Sequence, residues 1–116
     1  MTPNPPHLSV AEVLAPWTNR LQSAREPEAI ATVAREYLAG WTPERLASMP
    51  RLPVISSPED ISSTAVMLMQ RMYADLEGNP DLVELAEFYA AASRRLSEVI
   101  ALANRGPAAL ERRPFF

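Results

Sequence analysis

The chain has 116 residues, 47% of them hydrophobic, and this length predicts a single domain with one modest core. It contains no cysteine and no lysine, which excludes disulfides, cysteine nucleophiles, cysteine-based zinc sites and a Schiff-base lysine. The formal net charge of −3 does not favour nucleic acid or an anionic membrane as the general partner.

The first predicted helix follows a proline-rich segment, residues 1–8, which we expect to be flexible. Ser9 and Glu12 have the spacing of a capping box, and apolar residues then recur at helical intervals. Pro16 should kink this helix or split it. The N-terminus lacks the charged and apolar regions of a signal peptide, so we expect a cytoplasmic protein without a membrane span.

Proline marks the start of most later helices. A cap-type residue comes before the proline, and an acid follows it at the end of the helix where the dipole favours negative charge. Three such motifs occur, Thr42-Pro43-Glu44, Ser57-Pro58-Glu59 and Asn79-Pro80-Asp81. They predict a short third helix over residues 43–49, then fourth and fifth helices of about 30 Å and about 38 Å.

The glycines predict where helices stop. Gly40, Gly78 and Gly106 are the three glycines of the chain, and each follows a segment with helical apolar periodicity. We expect each at a left-handed position just past a helix end. No glycine is left for a phosphate-binding loop, so P-loop and dinucleotide-binding motifs are absent.

The overall pattern predicts an all-α fold, because no segment shows sustained two-residue alternation. We expect a small helical bundle of four main helices plus one short helix, built on a long C-terminal antiparallel helical hairpin. The bundle domain covers residues 9–105, and residues 106–116 form a tail. The hairpin is longer than the first two helices, so part of its apolar face needs a cover. The connector around Val54 and a second copy of the chain are the two candidates.

Catalytic and metal-binding residues are scarce. The single histidine, His7, lies in the segment expected to be flexible, and no second histidine or cysteine accompanies it. Counted from Asp75 as a calcium loop, the acidic turn has Pro80 and Ala86 where an EF-hand needs Gly and Glu. We therefore predict no cofactor and no metal, and a non-enzymatic protein is favoured while a catalytic role stays open.

Three features predict a surface for a protein partner. Methionines, whose side chains adapt to varied shapes, cluster on the fourth helix. Residues 26–87 carry eleven acids and four arginines, whereas residues 94–116 carry five arginines and two acids. The tail ends in two arginines, a proline and two phenylalanines. The candidate partner surface comprises Met67, Met72, Arg94, Arg95, Arg112, Arg113, Phe115 and Phe116.

The leading hypothesis is a non-enzymatic helical protein-interaction or regulatory module that forms a homodimer. The alternative is a helical bundle that binds a small apolar ligand in its core. Met69, Tyr73 and Tyr89 would line that cavity, since all three fall on predicted apolar faces.

A further alternative comes from the stretch GWTPERLA, residues 40–47. It resembles the Gly-Trp-Ser-Pro-Glu stretch in the helix-turn-helix region of some insertion-sequence transposases. The resemblance covers eight residues and implies a DNA-binding protein of the helix-turn-helix type. Glu59 and Asp60 begin the next helix and would meet phosphate with like charge, so we expect no nucleic-acid partner.

Overall fold

A computed structural model describes residues 9–104, which form five α-helices and contain no strand. The helices are α1 (Val10–Ser23), α2 (Pro27–Ala39), α3 (Pro43–Ala47), α4 (Glu59–Ala74) and α5 (Pro80–Asn104). The all-α prediction is confirmed. The predicted flexible segment 1–8 and the tail 106–116 lie outside the described residues.

Helix starts follow the capping chemistry in three places and reverse it in a fourth. At α5 the side-chain oxygen of Asn79 accepts the N–H of Asp81 at 3.0 Å, as predicted. Ser9 and Glu12 form the predicted capping box, with each side chain accepting from the other's N–H at 3.1 Å and 3.0 Å. Thr42 caps α3 through its hydroxyl oxygen. Ser57 does not cap α4; instead its N–H donates to the Asp60 carboxylate at 2.9 Å. This bond helps to hold the pKa of Asp60 below its ordinary value.

Helix α1 runs unbroken through Pro16, so the predicted split does not occur. Proline removes a single N–H, and the carbonyl that loses its partner belongs to Glu12. Both residues are exposed, so water can satisfy that carbonyl.

The glycine predictions divide. Gly78 has φ +70°, the predicted left-handed conformation, but it lies four residues past Ala74, the last residue of α4, within the turn into α5. Gly40 has φ −83° and remains right-handed, so the same prediction is wrong there. The N–H groups of Gly40 and Trp41 donate to the carbonyls of Tyr37 and Leu38 at 3.1 Å and 3.0 Å. Helix α2 therefore ends by tightening its last turn, which needs no left-handed residue. Gly106 lies outside the described residues.

The fourth helix is shorter than predicted, with 16 residues and a length of about 24 Å. Asp75 leaves the helix, and its carboxylate accepts the N–H groups of Glu77 and Asn79 at 3.1 Å and 2.7 Å. These bonds lower the pKa of Asp75. An acid that looked misplaced at a helix C-terminus thus organises the turn into α5.

The core is centred on α5, which packs against α1, α2 and α4, while α1 also packs against α2. Helix α4 has its main interface with α5 alone. The largest fully buried side chains come from α1, α2, α4 and α5, and they are Tyr89, Phe88, Leu21, Ile30, Ile61, Leu68, Leu85 and Thr64. This arrangement leaves the side of α4 opposite α5 without a covering helix in the described chain.

The connector between α3 and α4, residues 48–58, folds onto α2. Ile55 is buried, and Arg35 of α2 donates from Nε to its carbonyl oxygen at 3.0 Å. Val54 remains exposed. The connector therefore does not cover the outer side of α4.

Candidate functional site

One flank of α4, beside the side that α5 covers, is apolar. Val66 is 58% exposed and Tyr73 is 76% exposed, and their seven-residue spacing places them on one side of the helix. Leu76, two residues past the end of α4, is 98% exposed. Together with the partly buried Met69 they form what we call the outer row, Val66, Met69, Tyr73 and Leu76. Single exposed apolar residues are ordinary on protein surfaces, but a contiguous set indicates an interaction surface.

A second apolar row of α4 faces the core. Ile61, Ala65 and Leu68 are buried, and Met72 is partly buried against them. We call these four residues the inner row. Val66, Met69 and Tyr73 each follow an inner-row residue by one position, so the two rows lie side by side. One α-helix thus carries two adjacent apolar rows, of which α5 covers one.

The predicted partner methionines belong mainly to the core edge. Met67 and Met72 are both partly buried and pack against the hydrophobic core. Sequence reasoning placed Tyr73 on a predicted apolar face as part of a cavity in the core. The three- and four-residue intervals of the outer row are the signal that would have found it.

Arg95 is placed for a structural role and not for binding a partner. Its side chain is 12% exposed and points at the C-terminal end of α1. Nε donates to the Leu21 carbonyl at 3.1 Å, and Nη2 donates to the carbonyls of Gln22 and Ala24 at 3.0 Å each. The last carbonyls of a helix lack intrahelical partners and lie at the negative end of its dipole. Arg95 therefore caps α1, and the prediction that it contacts a partner is corrected.

Of the remaining residues of the predicted partner surface, one lies within the described part of the chain and four lie outside it. Arg94 is exposed on α5. Arg112, Arg113, Phe115 and Phe116 lie outside the described residues.

The predicted ligand cavity does not come together. Tyr89 is fully buried, Met69 is partly buried, and Tyr73 projects outward. The surface pockets described between residues 9 and 104 are lined by other side chains. Among the described residues, the Tyr89 hydroxyl has no hydrogen-bond partner, and burial raises its pKa. The three residues therefore do not share a site.

A polar cluster joins α3 to the start of α5. Arg45 donates from Nη2 to Asp81 at 2.8 Å and to Glu84 at 2.9 Å, and from Nε to Asp81 at 3.1 Å. Its guanidinium also lies 3.7 Å from the centre of the Trp41 ring, a cation–π contact. The Tyr37 hydroxyl donates a hydrogen bond to the Glu84 carboxylate. Trp41 is buried, as expected for a core or hinge-packing residue.

The chemistry of this cluster is that of a structural link. Burial, and then the hydrogen bond to the Glu84 carboxylate, raise the pKa of Tyr37, so its phenol stays protonated. Both carboxylates are paired with Arg45. Each ionisable group of the cluster is thus bonded to another member of it.

The stretch that resembles the transposases covers the turn from α2 to α3 and the whole of α3. Residues 40–42 join these two helices, a length that a helix-turn-helix turn also has, and the connector from α3 to α4 spans residues 48–58. Helix α3 itself has five residues, and Arg45 within it is engaged by Asp81 and Glu84.

Two wider searches of residues 9–104 add no other site. No group of three or more histidine or acidic side chains in this range is placed to hold a metal ion. None of the helices there is both long and apolar enough to cross a membrane. Comparisons with protein-family models, curated proteins and solved structures find no match to this chain.

Proposed function

We propose that this protein is a non-enzymatic helical interaction module that associates with a second copy of itself through the outer row of α4. Its scaffold is a small bundle built on the antiparallel hairpin of α4 and α5. The observation that carries the proposal is the exposure of Tyr73, 76%, in line with Val66 on a helix whose adjacent side is buried.

The energetic argument concerns water. Fully burying a large apolar side chain contributes about 1.5 to 3 kcal/mol relative to leaving it exposed. Val66, Tyr73 and Leu76 forgo most of this contribution in the single chain, because each is more than half exposed. A partner that covers the outer row would recover this free energy of burial. Because α4 already packs against α5, little conformational entropy of the helix would be lost on binding.

The charge pattern favours a second copy over a charged partner. Asp60 is bound to N–H groups of the connector, and Arg71 lines a surface pocket with Met49 and Pro50 of the connector. Asp60 and Arg71 therefore point toward the connector, whereas Glu59, seven residues before Val66, lies in line with the outer row and near the uncharged residues Ser63 and Gln70. On this side of α4 a strongly charged partner would meet a single carboxylate, whereas a second copy would bring a matching and largely uncharged surface.

The test is the oligomeric state of the full chain by sedimentation equilibrium at about 10 to about 200 μM, a range suited to a small interface. We expect a monomer–dimer equilibrium for the wild type and a monomer for Tyr73→Glu. Val54→Glu is the matched control, because Val54 is 83% exposed on the connector and away from the outer row.

Two results would refute the proposal. One is a wild type that stays monomeric throughout the range. The other is equal dimerisation of Tyr73→Glu and the wild type, which would place the contact elsewhere. Circular dichroism of each variant shows whether the fold is retained, and the exposure of both positions makes retention the expected result.

A further inference from the structure

We propose that residues 42–54 form a strap that lifts from the bundle as one unit, and that Arg45 is the latch that holds it closed. The strap comprises α3 and most of the connector to α4. Lifting takes place within a single chain, so it does not depend on the proposed association of two copies.

The burial pattern marks the two ends of the strap. Trp41 and Ile55, which flank it, are 6% and 5% exposed and belong to the core. None of the described residues between them is buried, although Met49 and Leu52 pack against the core with part of their surface. Segments with few buried apolar contacts open locally at a lower free energy than the whole fold. The strap should therefore open before the bundle does, between two fixed ends.

Arg45 provides the latch through its contacts with the start of α5. Its guanidinium donates to Asp81 at 2.8 Å and to Glu84 at 2.9 Å, and it lies over the Trp41 ring. None of the five residues of α3, all within the described range, is buried. A charged side chain thus takes the place of an apolar helix interface. Withdrawing it would release the strap and uncover both carboxylates and one face of the indole.

The latch is only partly shielded from water. The side chains of Arg45 and Asp81 are 33% and 37% exposed, and that of Glu84 is 13% exposed. Dissolved salt screens exposed charges far more than buried ones. The strap should therefore lift more often as the ionic strength rises.

Three prolines limit what the lifted strap can do. Pro43, Pro50 and Pro53 each fix one backbone angle. A segment with fewer accessible conformations loses less entropy when it docks again. The sequence of the strap therefore favours reclosing over further unfolding.

Residue-resolved amide hydrogen exchange of the full chain tests this device, because exchange rates report the free energy of each opening. The strap amides to follow are those of Leu46 and Met49, which donate to the carbonyls of Thr42 and Leu46 at 3.0 Å each. The amide of Phe88, a buried residue of α5, reports opening of the bundle. After correction for intrinsic rates, we expect both strap amides to exchange at least about tenfold faster than the Phe88 amide.

Arg45→Ala should speed the exchange of both strap amides by about tenfold or more, because hydrogen bonds between charged groups are among the stronger ones. The matched control is Arg95→Ala, which removes hydrogen bonds to the end of α1. These bonds persist when the strap lifts and are lost when the bundle unfolds. Arg95→Ala should therefore speed the exchange of Phe88 and leave the strap amides unchanged. Arg51→Ala, at an exposed position within the strap, should alter neither.

A salt series tests the latch without a substitution in Arg45. Raising NaCl from about 0.01 M to about 1 M shortens the Debye length from about 30 Å to about 3 Å. In the wild type this should speed exchange of the strap amides by about threefold relative to Phe88, the size expected for partly exposed ion pairs. In Arg45→Ala the strap amides should lose this response.

Three results would overturn the proposal. Strap amides that exchange no faster than Phe88, or that speed up with it in Arg95→Ala, would show that the strap opens only when the whole bundle does. Different responses of Leu46 and Met49 would show that the strap does not move as one unit. Strap exchange that is unchanged in Arg45→Ala and insensitive to salt would remove Arg45 as the latch. If Arg45→Ala does not fold, the wild type, the salt series and Arg95→Ala still decide each of these points.

Discussion

Arg95 of α5 donates from Nε to the carbonyl oxygen of Leu21, at 3.1 Å, and so ends a helix that lies 74 residues earlier in the chain. The same guanidinium reaches the carbonyls of Gln22 and Ala24. One long-range side chain thus does what a local C-cap would do in another protein. The orientation of α1 on α5 is fixed at this point by hydrogen bonds as well as by packing.

Replacing Arg95 should destabilise the fold. Arg95→Ala removes hydrogen bonds to three carbonyls, of which that of Leu21 still accepts the N–H of Ala24, and it removes a positive charge from the negative end of the α1 dipole. We expect a loss of about 2 to 3 kcal/mol in the free energy of unfolding, measured by urea denaturation. The matched control is Arg94→Ala, at an exposed neighbour, which should change stability by less than about 0.5 kcal/mol. Equal effects of the two variants would show that the contacts of Arg95 contribute little.

The bond between Tyr37 and Glu84 should be energetically coupled. Glu84→Ala leaves the largely buried Tyr37 hydroxyl unpaired, whereas Tyr37→Phe leaves Glu84 still bound to Arg45. A double-mutant cycle should therefore give a coupling of about 1 kcal/mol, with the single Glu84 change costing about 2 kcal/mol. Asp81→Ala is the comparison, and its more exposed ion pair should contribute less than about 1 kcal/mol. Strict additivity of the two single changes would contradict the bond.

Tyr89→Phe should raise the free energy of unfolding, whereas Tyr37→Phe should lower it. Within the described residues, the Tyr89 hydroxyl is buried and has no partner, so removing its oxygen removes a desolvation penalty. We expect a gain of up to about 1 kcal/mol in the free energy of unfolding. A loss of comparable size would show that the hydroxyl is satisfied in solution, for example by a bound water.

Stability should fall at high pH because burial raises the pKa of both Tyr37 and Tyr89. The folded state holds these phenolic protons more tightly than the unfolded chain does. Their contribution is fully present below the ordinary tyrosine pKa of 10 and is lost as pH rises above it. Each group should reduce the free energy of unfolding by about 1.4 kcal/mol per pH unit in that range. Tyr89→Phe should roughly halve the slope, and an unchanged slope would contradict this assignment.

The two described glycines provide a matched pair for backbone conformation. Gly78→Ala puts a side chain at φ +70° and should cost about 1 to 2 kcal/mol, although the added carbon meets no atom within 4 Å. Gly40→Ala keeps a right-handed conformation, and its nearest contact would be 3.5 Å from the Tyr37 carbonyl oxygen. Gly40→Ala should therefore be neutral or mildly stabilising. Thermal unfolding of both variants measures the difference, and the opposite ranking would refute the reading of the Gly78 turn.

The features that sequence predicts well are those decided within one or two turns of a helix. The capping box of Ser9 and Glu12 depends on neighbouring residues alone, and it forms as expected. The Ser57 motif fails because Asp60 can accept two N–H groups of the connector, which competes with the cap. Gly40 fails because a helix can also end by tightening its final turn.

The features that sequence predicts poorly depend on which surfaces meet. Periodicity identifies both apolar rows of α4 but does not show that α5 covers one of them, so Tyr73 was expected to be buried. Arg95 looked like surface charge because its three carbonyl partners are more than seventy residues away. Local patterns contain no information about such pairings, which depend on how the helices assemble.

Two polar contacts join helix α5 to the preceding helices. Asp81, near the start of α5, pairs with Arg45 of α3, and Arg95, nine residues before the end of α5, donates to carbonyls at the end of α1. The fragment comprising residues 59–104 would retain α4, α5 and their turn, yet it would lose the partner at each of these attachment points. It would also expose the α5 faces that α1 and α2 cover. The pair of helices α4 and α5 is therefore unsuited to being excised or transplanted as an independent unit, and the proposed association through the outer row depends on the preceding fifty residues.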